Sequence, residues 1–114
     1  MLSQEILKGT LKPLILKLIR ENGRMYGYQI TRLVRVLSDD EISLTEGALY
    51  PALHKLVNDG LLKVESERVG QRERKYYSLS PAGLKLVNQK IDEARDSIMT
   101  LARLFDVNTA LYGA

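Results

Sequence analysis

Eight side chains near the middle of the sequence have the types and spacing to hold a polyanion and to read its surface. Thr45, Tyr50, His54 and Lys55 fall in one stretch, and Arg68, Arg72, Arg74 and Lys75 in the next. Guanidinium and ammonium groups neutralise phosphates, while hydroxyl, imidazole and amine groups on a helix reach the hydrogen-bonding edges of nucleobases. Each also has an ordinary role, since surface Lys and Arg are usually solvating and a helical Tyr usually packs. The chain offers little for catalysis. His54 is the one histidine and cysteine is absent, so thiolate nucleophiles, disulfides and cysteine-ligated zinc are excluded. No Ser, His and carboxylate set can be argued from their order, and no glycine-rich loop follows a strand to cradle a nucleotide. The expectation is a protein that is not an enzyme and carries no cofactor and no metal.

The elements that must position these groups can be read from periodicity. Ile6, Leu7, Thr10, Leu11, Leu14, Ile15, Leu18 and Ile19 share one helical face, and Asn22-Gly23 ends the pattern. Pro13 interrupts this first helix, which either bends there or starts after a separate segment. Ile30, Leu33, Val34 and Leu37 mark a short second helix, broken by Ser38-Asp39-Asp40. Thr45 caps a third, with Glu46 in its first turn and Leu49, Ala52, Leu53, Leu56 and Val57 as its buried stripe. Pro51 leaves two readings: a regular helix that begins near it, or a kinked first turn before it. The period then changes to two, and Leu62, Val64, Tyr77 and Leu79 predict a β-hairpin turning near Gly70. Ser80-Pro81 opens a long last helix.

Composition sets the frame. A chain of 114 residues has room for one domain, and 45% hydrophobic with 27% charged content is ordinary for a globular protein. No apolar run approaches the roughly 18 residues of a membrane span, and the N-terminal residues lack a secretory pattern, so the expectation is a soluble cytoplasmic protein with no membrane partner. The net charge of +3 is mild, but it is unevenly placed. Residues 1–36 hold seven Lys/Arg against two acidic residues, and residues 61–79 hold five against three. Residues 37–60 hold one against five. The acidic run Asp39-Asp40-Glu41 opposes phosphate unless its loop points away.

Two short helices, the second with exposed polar residues, followed at once by a basic hairpin, make a winged helix-turn-helix. The fold expectation is mainly α with a small β-hairpin. A winged helix-turn-helix spans residues 1–80, a long C-terminal dimerisation helix 81–106, and a tail 107–114. In the last helix Leu84, Val87, Ile91, Ala94, Ile98, Leu101 and Phe105 step by alternate threes and fours. This stripe of about 21 residues spans roughly 32 Å at 1.5 Å per residue, further than a wing domain of this size could cover, which predicts a homodimer. A lone helical histidine is more often a surface or base-contacting residue than a metal ligand.

Three segments stand out in order and spacing: Tyr26-Gly27-Tyr28-Gln29-Ile30, then Gly47-Ala48-Leu49-Tyr50-Pro51-Ala52-Leu53-His54-Lys55-Leu56 through Asp59-Gly60-Leu61-Leu62, then Arg72-Glu73-Arg74-Lys75-Tyr76-Tyr77-Ser78-Leu79-Ser80-Pro81-Ala82-Gly83. Together they resemble the PadR family of bacterial and archaeal repressors. The single last helix is similar to that of the family's shorter members. The resemblance implies a recognition helix around Tyr50, a second wing strand over Arg72 to Tyr77, and dimerisation through Leu84 to Phe105. It further implies double-stranded operator DNA as partner, a second copy of the chain, and a small-molecule effector. Three positions depart from the pattern: Gln29 stands where an acidic residue is usual, Glu73 interrupts the basic run, and tryptophan is missing around Glu65-Ser66. The competing reading is a winged-helix module that docks a protein and binds no DNA, because fold does not imply function.

Overall fold

The computed structural model describes residues 4–108; Met1 to Ser3 and the part of the expected tail from 109 to 114 lie outside the described residues. Four helices and a three-stranded antiparallel sheet run in the order α1 (Gln4–Asn22), β1 (Met25–Tyr26), α2 (Gly27–Leu37), α3 (Glu46–Asn58), β2 (Leu62–Val69), β3 (Arg72–Leu79) and α4 (Pro81–Leu104). The expected mainly α winged helix is the observed fold, with one addition. The two residues of β1 join the hairpin at its β3 edge, pairing Met25 with Tyr77 and Tyr26 with Tyr76, so the strand order is β1-β3-β2. Two residues are too short for a period to register in the sequence.

Both prolines are accommodated inside continuous helices, which decides the open boundaries at Pro13 and Pro51. A proline removes the hydrogen bond to the carbonyl four residues earlier. Here those carbonyls belong to Gly9 and Gly47, both exposed, where water can replace the lost donor. Helix α1 is central rather than one-sided. It buries Leu7, Leu11, Ile15, Leu16, Leu18 and Ile19, packing on α4, α3 and β3, while Ile6 of the expected stripe stays 59% exposed. Burial of each such side chain contributes about 1.5–3 kcal/mol.

The caps fix where the reading elements begin. The Thr45 hydroxyl oxygen accepts the Ala48 amide at 3.2 Å, as its type predicts for an N-cap. The Gln29 side chain accepts the Tyr26 amide at 3.1 Å, the back half of a capping box, so glutamine here serves α2 as an acidic residue would. Ser80 accepts the Gly83 amide at 2.9 Å and donates to the Gly60 carbonyl, tying the start of α4 to the end of α3. At Gly83 a Cβ would lie 2.0 Å from the Leu61 carbonyl oxygen, so only glycine lets α4 approach this closely. Gly70, at φ +64°, makes the tip between β2 and β3, which pair from Leu62 with Leu79 to Val69 with Arg72.

Candidate nucleic-acid interface

The turn between α2 and α3 sets the second helix against the first. Tyr50 of α3 lies over Gly27, the first residue of α2, where an added Cβ would meet the Tyr50 hydroxyl at 2.5 Å and its ring at 2.9 Å. Tyr50 is therefore half-buried and helps hold the two helices together, with its remaining surface in a groove. That groove runs between the leading ends of α2 and α3 and the second wing strand. Tyr26, Gly27, Tyr28, Glu46, Tyr50, Arg72, Glu73, Arg74 and Lys75 line it. A second hollow beside it is lined by His54, Val57, Asn58, Val64, Lys75 and Tyr77, so Lys75 borders both. Asp39, Asp40 and Glu41 line neither.

Of the eight residues singled out by type, Tyr50, His54, Arg72, Arg74 and Lys75 are brought together around these two hollows. Thr45 is exposed at the leading end of α3, its hydroxyl oxygen engaged in the cap. Lys55 and Arg68 are not among the lining residues. Lys55 pairs instead with Asp59 one turn on, at 3.3 Å, and Arg68 stands across the hairpin from Glu73. The Lys55–Asp59 pair is exposed on both sides and is worth little to stability.

The outer face of the sheet carries an interlocked stack. The Arg74 guanidinium lies 4.1 Å from the centre of the Tyr26 ring, and Arg24 lies 4.1 Å from that of Tyr76. The two rings meet edge to face at 5.4 Å. Arg24 also pairs with Glu67 of β2 at 2.9 Å, which links the chain before β1 to the first wing strand. Such cation–π contacts contribute about 0.5–1 kcal/mol each where exposed. A hydrogen bond with Tyr76 raises the Arg74 guanidinium above its ordinary value. On the inner face Tyr77 is buried, and burial, with a smaller contribution from Tyr50, raises its hydroxyl above the usual range. Sequence reasoning missed Arg24, Tyr26, Tyr28 and Glu46 as groove or stack residues. Tyr26 and Tyr28 were visible in the Tyr-Gly-Tyr segment, whereas nothing local marks Arg24 as a neighbour of Tyr76.

The apolar stripe of α4 splits into two parts. Val87 and Ile91 are each 3% exposed and belong to the protomer's own core, where α4 packs on α1. Within the protomer α1 thus covers this part of the stripe expected to join two copies. Beyond it the stripe is open, with Ala94 half-buried, Ile98 49% exposed, Leu101 53%, Leu104 73% and Phe105 76%. Leu84, at the other end, is exposed as well. A groove of about 470 Å³ lies between the first turns of α1 and the open half of α4, with Ile6, Pro13, Leu16, Ala94, Ile98 and Leu101 among its lining. Among the described residues no group of His, Cys, Asp and Glu is arranged to hold a metal, and no helix is long and apolar enough to cross a membrane.

Residues 15–89 match the Transcriptional regulator PadR-like family. A transcriptional regulator of Mycobacterium tuberculosis, Rv3488, is 38% identical over 71 residues, which is 62% of this chain and 63% of that protein's length. The structure of a transcriptional regulator from Clostridium thermocellum superposes with a TM-score of 0.77 at 28% identity, covering 90% of this chain and 97% of that one. Bacillus subtilis PadR, solved in complex with operator DNA, superposes with a TM-score of 0.62 at 30% identity, covering 69% of this chain and 45% of that one.

Proposed function

The chain belongs to the PadR-like family of transcriptional regulators, and from that membership we propose that it is a repressor that binds a pseudo-palindromic operator as a homodimer. Its relatives are transcriptional regulators, not enzymes. The observation that carries the reading is the groove between α3 and the wing, which Arg72, Arg74 and Lys75 of β3 line together with Glu46 and Tyr50 from the leading end of a helix in helix-turn-helix position. The Bacillus subtilis relative, solved with operator DNA, supports the same use of this scaffold.

In this proposal residues 1–80 bind DNA, with α3 in the major groove. Thr45, Tyr50, His54 and Lys55 are the candidates for base edges, and Arg68, Arg72, Arg74 and Lys75 for phosphates. The segment over 81–106, α4 and the two residues after it, joins two copies through Ala94, Ile98, Leu101 and Phe105, with Leu84 at its near end, and the tail over 107–114 follows it. Leu104, absent from the expected stripe, is exposed beside this surface and joins it. Twofold symmetry would set two recognition helices about 34 Å apart along straight B-DNA. A small molecule seated at the dimer interface would release the operator, and a cytoplasmic location goes with this role.

The test is binding of the purified protein to a labelled fragment of its own upstream region against a scrambled competitor. The proposal expects preference for the upstream fragment, weakened by salt. Equal affinity for both would instead favour the use of the winged helix as a protein-docking module.

A further inference from the structure

We propose that Glu46 reads a cytosine in the operator and is a specificity-determining residue of α3; this rests on the DNA-binding reading of the groove. Around the leading turn of α3 most polar capacity is already engaged. The Thr45 hydroxyl oxygen is held by the Ala48 amide, Gly47 has no side chain, and Tyr50 is tucked over Gly27. Glu46 is exposed, lines the same groove as Arg72, Arg74 and Lys75, and makes no ion pair with any described residue. Its exposed side chain borders the groove in which the proposed duplex would lie.

A carboxylate there is repelled by phosphates and by every base edge that presents only acceptors. In the major groove guanine shows N7 and O6, and thymine shows O4 beside its methyl group, so neither offers it a donor. Adenine offers its N6 amino group, but the N7 acceptor stands next to it. Cytosine offers the N4 amino group with an acceptor on one side only, the O6 of its paired guanine, whereas the adenine amino group has the thymine O4 on its other side as well, so cytosine is the edge that best suits an acceptor-only side chain. The wing cations across the groove satisfy the phosphates on either side, so Glu46 contributes selectivity where they contribute affinity.

An acidic residue in a first turn also favours the helix dipole, a role that needs no DNA. Substitution separates the two. Sites are selected from a randomised duplex library by the wild-type protein and by the Glu46→Gln and Glu46→Ala variants, with melting temperatures measured alongside. The expected result is a cytosine preference at one position per half-site in the wild type, with about tenfold weaker binding when guanine replaces it. Glu46→Gln should move that preference to adenine, since a glutamine amide matches both N6 and N7, and Glu46→Ala should abolish it. Sequence preferences that are identical in all three proteins, with only the melting temperature changed, would overturn the assignment of Glu46 while leaving the DNA-binding reading intact. No preference at any position in the wild type would overturn both.

Discussion

The wing and the open half of α4 are both exposed, but water solvates one well and the other poorly. On the wing most exposed groups are charged, the cations Lys63, Arg68, Arg72 and Lys75 beside the carboxylates Glu65, Glu67 and Glu73, with Val64 and Val69 open among them and Arg74 half-covered where it stacks on Tyr26. Charged groups of this kind are stable in water alone, and the cations gain from a polyanion mainly by releasing its counterions. On α4 the exposed groups are Ile98, Leu101, Leu104 and Phe105, a contiguous apolar surface beside the groove against α1. Apolar surface of this extent favours removal from water, and a second copy of the same helix supplies a matching surface. The wing is thus organised within the protomer, by the Arg24–Tyr76 and Arg74–Tyr26 contacts and the Arg24–Glu67 pair, whereas the open surface of α4 would be completed only in the proposed dimer.

The largest expected effect comes from charging the apolar surface. Ile98→Asp with Phe105→Asp should weaken self-association by more than about 100-fold, at roughly 2 kcal/mol or more for each anchor lost, as measured by sedimentation equilibrium. Both positions are exposed in the protomer, so the helical content seen by circular dichroism should be kept. A variant that remains dimeric would place the interface elsewhere. Next in size is the contrast along α4 itself. In that monomeric background Ile91→Ala should cost about 3 kcal/mol of stability in urea, because Ile91 is in the core. Leu101→Ala there should stay within about 0.5 kcal/mol. Equal costs at the two positions would break the division of the helix into a covered and an open part.

That division also shows what periodicity can and cannot convey. The spacing from Leu84 to Phe105 marks an apolar face on the last helix, but a stripe does not say what covers it. Val87 and Ile91 lie opposite α1, and the reach of α1 depends on its tertiary placement, which no local pattern encodes. The helices, the hairpin, the Thr45 and Ser80 caps and the Gly70 turn were legible because each follows from local chemistry: capping oxygens, a period of 3.6 or 2, and a positive φ. The stack of Arg24, Tyr26, Arg74 and Tyr76 was not legible, since its members come from segments about 50 residues apart and meet only when β1 pairs with β3. Among the candidate DNA contacts, residue type selected all eight, and position then brought five of them to the hollows and left Thr45, Lys55 and Arg68 at or beyond their margins.

The measurement that bears most directly on the account is the salt dependence of operator binding, compared between the wild type and a variant carrying Arg72→Ala, Arg74→Ala and Lys75→Ala. The account predicts a slope of log affinity against log salt that is shallower by about 5.4 in the variant, at roughly 0.9 for each of the six phosphate contacts removed, three from each protomer, with the dimer intact. An unchanged slope would contradict it, because the three cations that line the groove beside α3 would then not be touching the DNA.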